Sequence, residues 1–173
     1  MKQPIFLIGF MASGKTTIGS QLAEFLKCPF LDTDRIIEEK KGVTVAQLFA
    51  EQGERYFRDL EKRVVEGLDP NALTVVAVGG GLPCYNGLID VLNSKGITVY
   101  LKTDPSVLLK RLIHALEERP LIEGMGEEEL KKFISDKMEE REPFYKKAQY
   151  TVDANNDTLK AIIQQLLLHR KIR

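Results

Sequence analysis

A glycine-rich segment near the start of the chain has the pattern of a phosphate-binding loop. Residues 9–16 are Gly-Phe-Met-Ala-Ser-Gly-Lys-Thr and match G-x-x-x-x-G-K-[ST], a pattern that arises by chance in under about 1 % of chains of this length. In such a loop the backbone N–H groups surround phosphate oxygens, the lysine reaches the β- and γ-phosphates, and the hydroxyl binds Mg²⁺. The motif therefore predicts that Lys15 and Thr16 contact a nucleotide. The alternative is a glycine-rich turn with a surface lysine.

Two carboxylates stand two residues apart after a short apolar segment. Asp32 and Asp34 follow Phe30 and Leu31. In extended backbone, residues i and i+2 point the same way, so both carboxylates are expected at the crevice beside the strand ends. One could hold a water on Mg²⁺ while the other accepts a proton from a substrate hydroxyl. The alternative is that Asp32 ends the strand and Asp34 caps the next helix.

Further along the chain stand three consecutive glycines and several arginines. Gly79–Gly81 suit a backbone that a ligand approaches closely, although a bare turn is the alternative. Arg58 and Glu61 share one face of a predicted helix, and a guanidinium held by a carboxylate can grip an anion. Charge pairs on helices are more often solvated, so spacing alone assigns this pair no ligand. Arg119 and Arg141 carry no interpretation by themselves.

The elements that must position these residues alternate between strand and helix. Strands are predicted at 5–9, 30–31, 73–78, 97–101 and 150–152. Helices are predicted at 16–26, 34–41, a short segment opened by the capping box Thr44–Gln47, then 54–68, 86–93, 105–116, 127–148 and 158–169. This alternation implies βαβ units and a parallel sheet with helices on both faces. The segment 117–128 is predicted to be a lid or a plain connection.

Length, charge and cysteine content limit the class of protein. The 173 residues predict one domain, 1–173, and equal numbers of basic and acidic residues leave no net charge to attract nucleic acid or an anionic membrane. Met1–Phe6 lacks the features of a signal peptide, and no apolar run approaches the ~20 residues of a membrane span. Cys28 and Cys84 are expected to be reduced thiols, and His114 and His169 are isolated. We therefore expect a cytoplasmic monomer without a membrane or nucleic-acid partner.

Six motifs follow one another along nearly the whole chain. They are Gly9–Thr16, Asp32-Thr33-Asp34, Phe57-Arg58 with Glu61, Gly79–Gly81, Arg119-Pro120-Leu121 and Arg141-Glu-Pro-Phe-Tyr145. In this order and spacing they resemble the shikimate kinase family. The resemblance implies a P-loop kinase of the α/β class, with three layers and a five-stranded parallel sheet ordered 2-3-1-4-5. It also implies transfer of the γ-phosphoryl group of ATP to the 3-hydroxyl of shikimate, in aromatic amino-acid biosynthesis.

For the nucleotide, the resemblance implies a role at each matching position. One Mg²⁺ ion would be bound directly by Thr16 and through water by Asp32. Arg111 would lie near the adenine, and Arg119 would close onto the phosphates with a lid at about 112–127. The residues implied to contact ATP are Ala12, Ser13, Gly14, Lys15, Thr16, Thr17, Arg111 and Arg119.

For the acceptor, the resemblance implies a shikimate-binding region at about 33–61. Asp34 would be the candidate base, and together with Lys15 and Arg119 it makes up the implied catalytic set. Glu61 would orient Arg58 for the shikimate carboxylate. The residues implied to contact shikimate are Asp34, Arg58, Gly80, Gly81 and Arg141.

Two departures from the family's pattern modify these expectations. Residues 114–118 are His-Ala-Leu-Glu-Glu, where many relatives are basic, which predicts a weaker hold of the lid on ATP. Asn155 and Asn156 stand where relatives often carry an arginine near the adenine. Adenine contacts are therefore expected from backbone rather than from a side chain at this point.

Two other functions stay open from the sequence. Another small-molecule P-loop kinase, for example one for gluconate, should lack the paired Arg58 and Arg141 together with the three glycines Gly79–Gly81. A kinase-like binding module that has lost turnover should lack Lys15, Asp34 or Arg119, and this chain has all three.

Overall fold

The strands of the computed structural model run parallel in one sheet. The structure describes residues 3–114, 122, 124–155 and 157–168, and within them the sheet has five strands in the order β2-β3-β1-β4-β5. This confirms the expected order 2-3-1-4-5. The strands are β1 Ile5–Ile8, β2 Phe30–Asp32, β3 Val75–Ala77, β4 Ile97–Lys102 and β5 Tyr150–Asp153.

Helices cover both faces of the sheet, as predicted. They are α1 Lys15–Leu26, α2 Thr33–Lys41, α3 Val45–Glu66, α4 Leu88–Lys95, α5 Pro105–Ile113, α6 Glu127–Tyr145 and α7 Thr158–Leu168. Successive side chains of a strand point to opposite faces, and β1 divides its four buried residues accordingly. Ile5 and Leu7 pack with residues of α1 and α7, whereas Phe6 and Ile8 pack with residues of α4, α5 and α6.

Several helix boundaries differ from their predicted positions. The capping box at Thr44 is confirmed, but the two helices expected after it form one element, α3, broken at Gly53 (φ 81°, ψ 168°). The helix predicted from Asn86 begins at Leu88, because Asn86 and Gly87 have positive φ values of 45° and 71°. A short 3-10 helix over Leu82–Cys84 was not predicted.

The predicted segment 127–148 ends earlier than expected, at Tyr145. Pro143 lies inside the last turn of α6, where it has no N–H to donate to the Glu139 carbonyl, and the helix ends two residues later. Most of the predicted lid, residues 115–121 and 123, lies outside the described residues. Ile122 is buried in the core cluster that includes α5 and α6.

Parallel pairing brings the functional segments to one edge of the sheet. Leu7 and Asp32 both pair in register with Ala77 of β3. The segments that follow β1, β2 and β3 therefore leave the sheet side by side, at its carboxyl edge, where ligands bind in open α/β sheets. Over the part of the chain that the structure describes, none of the helices combines the length and apolarity needed to cross a membrane.

Candidate active site

One cavity at the carboxyl edge of the sheet holds nearly all of the predicted site residues. Its volume is about 660 Å³, within the usual range for small-molecule sites. The predicted residues that line it are Ala12, Ser13, Gly14, Lys15, Thr16, Thr17, Asp32, Asp34, Arg58, Gly80, Gly81, Arg111 and Arg141. Glu61 lies behind Arg58 and is fully buried. Arg119 lies outside the described residues.

The phosphate-binding loop leads directly into α1. Gly14 precedes the helix with φ 95°, a conformation that favours glycine, so the loop can turn its backbone N–H groups toward the helix N-terminus. The Lys15 ammonium donates to the carbonyl oxygens of Gly9 at 2.9 Å and Phe10 at 2.8 Å. These bonds hold the lysine side chain back over its own loop.

On the outer side of the loop, Arg111 Nη1 donates to the Ala12 carbonyl at 3.0 Å. Ala154 and Thr158 line the same end of the cavity. The Asn155 side-chain oxygen accepts from the Asp104 N–H at 3.1 Å, so this side chain supports the start of α5. The expectation that adenine contacts come from backbone at this point stays a prediction, and Asn156 lies outside the described residues.

Asp32 and Asp34 have different surroundings. The Thr16 hydroxyl donates to Asp32 Oδ2 at 2.9 Å, and the Asp34 N–H donates to Asp32 Oδ1 at 3.1 Å. Asp32 is therefore the residue that caps α2, and the alternative that gave this role to Asp34 is wrong. The cap uses one oxygen of Asp32 and leaves its other oxygen beside Thr16.

The Asp34 side chain takes no part in the cap, and it lines the cavity. Among the described residues nothing hydrogen-bonds to its buried Oδ1. Burial raises the pKa of this carboxyl above its usual range and the neighbouring Asp32 charge adds to the rise, while nearby cationic side chains oppose it. A carboxyl with a raised pKa and an unused oxygen is suited to accept a proton.

Arg58 is held on several sides within α3. It is buried, and Nη1 donates to Glu61. Nε and Nη2 donate to one oxygen of Glu54, at 3.2 and 3.1 Å. The rings of Phe49 and Phe57 lie 5.7 and 5.4 Å from its Cζ atom. Sequence reasoning missed Glu54, although its i,i+4 spacing to Arg58 could have indicated the pair.

The three glycines make room for this arginine and its partner. A Cβ atom on Gly79 would lie 2.0 Å from Glu61 Oε1, and one on Gly81 would lie 2.3 Å from Arg58 Nη2. Two of the three positions therefore exclude side chains because the ion pair packs directly against the loop. The sequence did not predict this packing requirement. The expected close approach of a ligand to the same glycines stays a prediction.

Arg141 reaches the same region from α6. It is buried, its Cζ atom lies 5.7 Å from the Phe10 ring, and it lines the cavity together with Arg58. Cys84 lies close enough to both arginines to feel their charge, but burial dominates and raises the pKa of the thiol to about 11. Cys84 and Cys28 are both free cysteines, and Cys84 stays a neutral thiol near pH 7.

Glu61 gives a prediction about stability and pH. Burial raises its pKa to about 7 from an ordinary 4.5, against the opposing charge of Arg58. The folded protein therefore binds this proton more tightly than the unfolded chain does. The free energy of unfolding should fall as the pH rises from about 4.5 to about 7, by at most about 3 kcal/mol from this group.

Urea unfolding of the wild type and Glu61→Gln across that pH range checks this prediction. Glutamine does not ionise, so the unfolding free energy of the wild type minus that of Glu61→Gln should fall steadily as the pH rises. Parallel stability curves would show that Glu61 titrates at its ordinary pKa.

The fold and the cavity define a class of protein. A parallel sheet of order 2-3-1-4-5, a phosphate loop opening α1 and a second charged site across the same cavity define a P-loop kinase of small molecules. A family model described as shikimate kinase matches residues 11–170. The chain belongs to the shikimate kinase family, and it is accordingly an ATP-using kinase.

Individual relatives agree over nearly the full chain. A shikimate kinase of Bacteroides fragilis is 41 % identical over 94 % of this chain and 93 % of its own. The crystal structure of shikimate kinase from Bacteroides thetaiotaomicron has a TM-score of 0.88 at 37 % identity, covering 99 % of this chain and all of that one. Shikimate kinase from Acinetobacter baumannii in complex with shikimate has a TM-score of 0.87 at 34 % identity, covering all of this chain and 97 % of that one.

A gluconokinase from Sinorhizobium meliloti is also similar in structure. Its TM-score is 0.61 at 19 % identity, so the likeness extends to the fold alone. The alternative of a gluconate-type kinase thus gains nothing from this match beyond the shared P-loop architecture.

Proposed function

We propose that this protein transfers the γ-phosphoryl group of ATP to the 3-hydroxyl of shikimate, giving shikimate 3-phosphate and ADP. The observation that carries the proposal is one cavity that both kinds of group line. The phosphate loop lines it, and so do two buried arginines, Arg58 and Arg141. A kinase acceptor that is also a carboxylate fits such a cavity, because guanidinium groups bind carboxylates by paired hydrogen bonds.

At the nucleotide end, the loop backbone and Lys15 bind the phosphates. Binding requires the Lys15 ammonium to exchange the carbonyls of Gly9 and Phe10 for phosphate oxygens, a short movement within the loop. Arg111, which donates to the Ala12 carbonyl, is proposed to lie near the adenine. Arg119 is proposed to add a further positive charge to the transferred group, as the family resemblance implies.

Thr16 and Asp32 have the chemistry that Mg²⁺ requires. A hydroxyl and a carboxylate oxygen lie within 2.9 Å of each other beside the loop. Within the described ranges no group of three or more His, Cys, Asp or Glu side chains could hold a metal. One hydroxyl and one carboxylate suit Mg²⁺, which is usually bound through one or two protein oxygens, nucleotide phosphates and water. When bound, the ion would supply neutralising charge to the β- and γ-phosphates.

At the acceptor end, Arg58 and Arg141 are proposed to bind the shikimate carboxylate and Asp34 the hydroxyls. As the new O–P bond forms and the bond from the γ-phosphorus to ADP breaks, the hydroxyl proton passes to Asp34. The raised pKa of the Asp34 carboxyl makes it a better proton acceptor than an ordinary carboxylate. The backbone N–H groups of Gly80 and Gly81 are proposed to complete the acceptor contacts.

Turnover assays with different acceptors test the proposed function. ADP release should be fast with shikimate, near background without an acceptor, and near background with gluconate. Fast turnover of gluconate alone would support the other small-molecule kinase, and no turnover with any acceptor would support a binding module. The sequence-based expectation of a monomer is a separate proposal, which sedimentation velocity would check.

Arg58→Lys tests whether the acceptor is a carboxylate. An ammonium cannot make two parallel hydrogen bonds, so the shikimate KM should rise by about tenfold or more while the ATP KM stays nearly constant. Arg55→Lys is the matched control, since Arg55 is exposed on the same helix and does not line the cavity. Steady-state kinetics with each substrate varied in turn give both constants.

The double variant Arg58→Lys with Arg141→Lys tests whether the two arginines bind the same carboxylate. If both arginines bind one carboxylate, their effects on the shikimate KM should be non-additive. An increase in the ATP KM at constant shikimate KM would place both arginines on the nucleotide side, and it would remove the argument for a carboxylate acceptor.

A further inference from the structure

A buried tyrosine hydroxyl connects α6 to the glycine loop. The Tyr145 hydroxyl donates to the Gly80 carbonyl oxygen at 2.6 Å, across 65 positions of sequence. The Tyr145 side chain is fully buried. Burial raises the pKa of Tyr145, and the charge of Arg141 and a hydrogen bond with it oppose that rise. The Arg141 guanidinium lies beside the same glycine, since its Nη1 would be 3.7 Å from a Cβ atom on Gly80.

This bond sets the direction of one peptide group at the cavity wall. The Gly80–Gly81 peptide is trans, so the Gly81 N–H points away from the Gly80 carbonyl. Because the carbonyl points to Tyr145, the N–H is directed to the opposite side of the loop. The Leu82 N–H donates to the Gly79 carbonyl at 3.0 Å and closes a turn around this peptide. Glycine in the turn allows the central peptide to face either way, so the bond from Tyr145 favours one of the two orientations.

We propose that Tyr145 is a positioning residue for the phosphoryl acceptor. Its hydroxyl fixes the Gly80–Gly81 peptide beside Arg141, and the peptide and the arginine both line the cavity. The inference rests on the proposed function of that cavity. It assigns the tyrosine an effect on acceptor binding and none on nucleotide binding.

Tyr100 supplies a matched control. Its ring centroid lies 5.2 Å from that of Tyr145, and its side chain is equally buried. Among the described residues nothing hydrogen-bonds to the Tyr100 hydroxyl. Tyr100→Phe therefore removes the same atom from an equally inaccessible side chain without releasing a peptide of the glycine loop.

The experiment compares Tyr145→Phe with Tyr100→Phe and the wild type. For Tyr145→Phe we expect the shikimate KM, and the shikimate Kd measured by calorimetry without nucleotide, to rise by about three- to tenfold. Its kcat and ATP KM should stay within about twofold of wild type, and Tyr100→Phe should match wild type in every constant. A smaller folded fraction would lower kcat without raising either KM, so a purely structural role gives a different result.

An unchanged shikimate KM in Tyr145→Phe, or an equal rise in Tyr100→Phe, overturns the inference. If Tyr145→Phe unfolds near the assay temperature, all three proteins are assayed in trimethylamine N-oxide, which strengthens the folded state. Wild-type turnover of shikimate separates the two proposals. Its absence overturns the proposed function, whereas its presence with an unaffected Tyr145→Phe overturns only the role of Tyr145.

Discussion

Lys15→Ala should lower kcat by at least about 10²–10³-fold while the protein remains folded. Removal of one preorganised donor to developing negative charge costs about 2.7–4 kcal/mol of barrier, and the P-loop lysine is such a donor to the transferred phosphoryl group. The Lys15 ammonium bonds to the carbonyls of Gly9 and Phe10. Lys15→Ala leaves the backbone bonds of the loop in place, from the Ser13 N–H to the Phe10 carbonyl at 3.2 Å and from the Ile18 N–H to the Gly14 carbonyl at 2.9 Å.

The rate of ADP release and the midpoint of thermal unfolding are measured on the same preparations. Lys131→Ala is a suitable control, since Lys131 is an exposed lysine on α6 far from the loop in sequence. A folded Lys15→Ala protein with near-normal turnover would contradict the assignment of residues 9–16 as the phosphate loop.

The phosphate loop could be predicted from the sequence because its residues are contiguous. A phosphate loop binds with its own backbone, so the eight residues 9–16 contain nearly everything that defines it. The alternation of strands and helices is likewise a local pattern, and it predicted a parallel sheet with helices on both faces. The order of the strands came from the family resemblance, because periodicity within one strand does not specify its neighbours.

Contacts between distant segments could not be predicted in the same way. The spacing of Arg58 and Glu61 places them on one face of α3 but does not show that this face is buried. The close packing of that pair against Gly79 and Gly81 depends on how α3 lies over the loop after β3. The bond from Tyr145 to Gly80 depends in the same way on the packing of α6.

Asp32 and Asp34 are equivalent in the sequence pattern, but the cap of α2 gives them different surroundings. Asp32 ends β2 and Asp34 lies two residues further on, and the i,i+2 rule predicts that both carboxylates face the crevice. The structure commits Asp32 to the N-terminus of α2 and to Thr16, and it leaves Asp34 Oδ1 buried and unused. Only the start of α2, one residue after the strand, separates their environments.

Asp34→Asn should lower kcat by about 10²–10⁴-fold, the usual contribution of a positioned general base. The amide keeps the size of the side chain and cannot accept the hydroxyl proton. The wild-type kcat/KM should also fall on the acid side as Asp34 becomes protonated, at a pH above that of an ordinary aspartate because its pKa is raised. The residual activity of Asp34→Asn should lack this acid limb.

Asp32→Asn should change the Mg²⁺ requirement instead. Asp32 contacts Thr16, the proposed ligand of Mg²⁺, so its replacement should raise the Mg²⁺ concentration needed for half-maximal rate and change kcat at saturating Mg²⁺ much less. Asp90→Asn, at an exposed aspartate in the first turn of α4, should leave both quantities unchanged. Mg²⁺ titrations of all three variants decide between the roles. Identical Mg²⁺ curves for Asp32→Asn and Asp34→Asn would mean that the two carboxylates act as one unit and that the cap does not separate a metal-binding aspartate from a base.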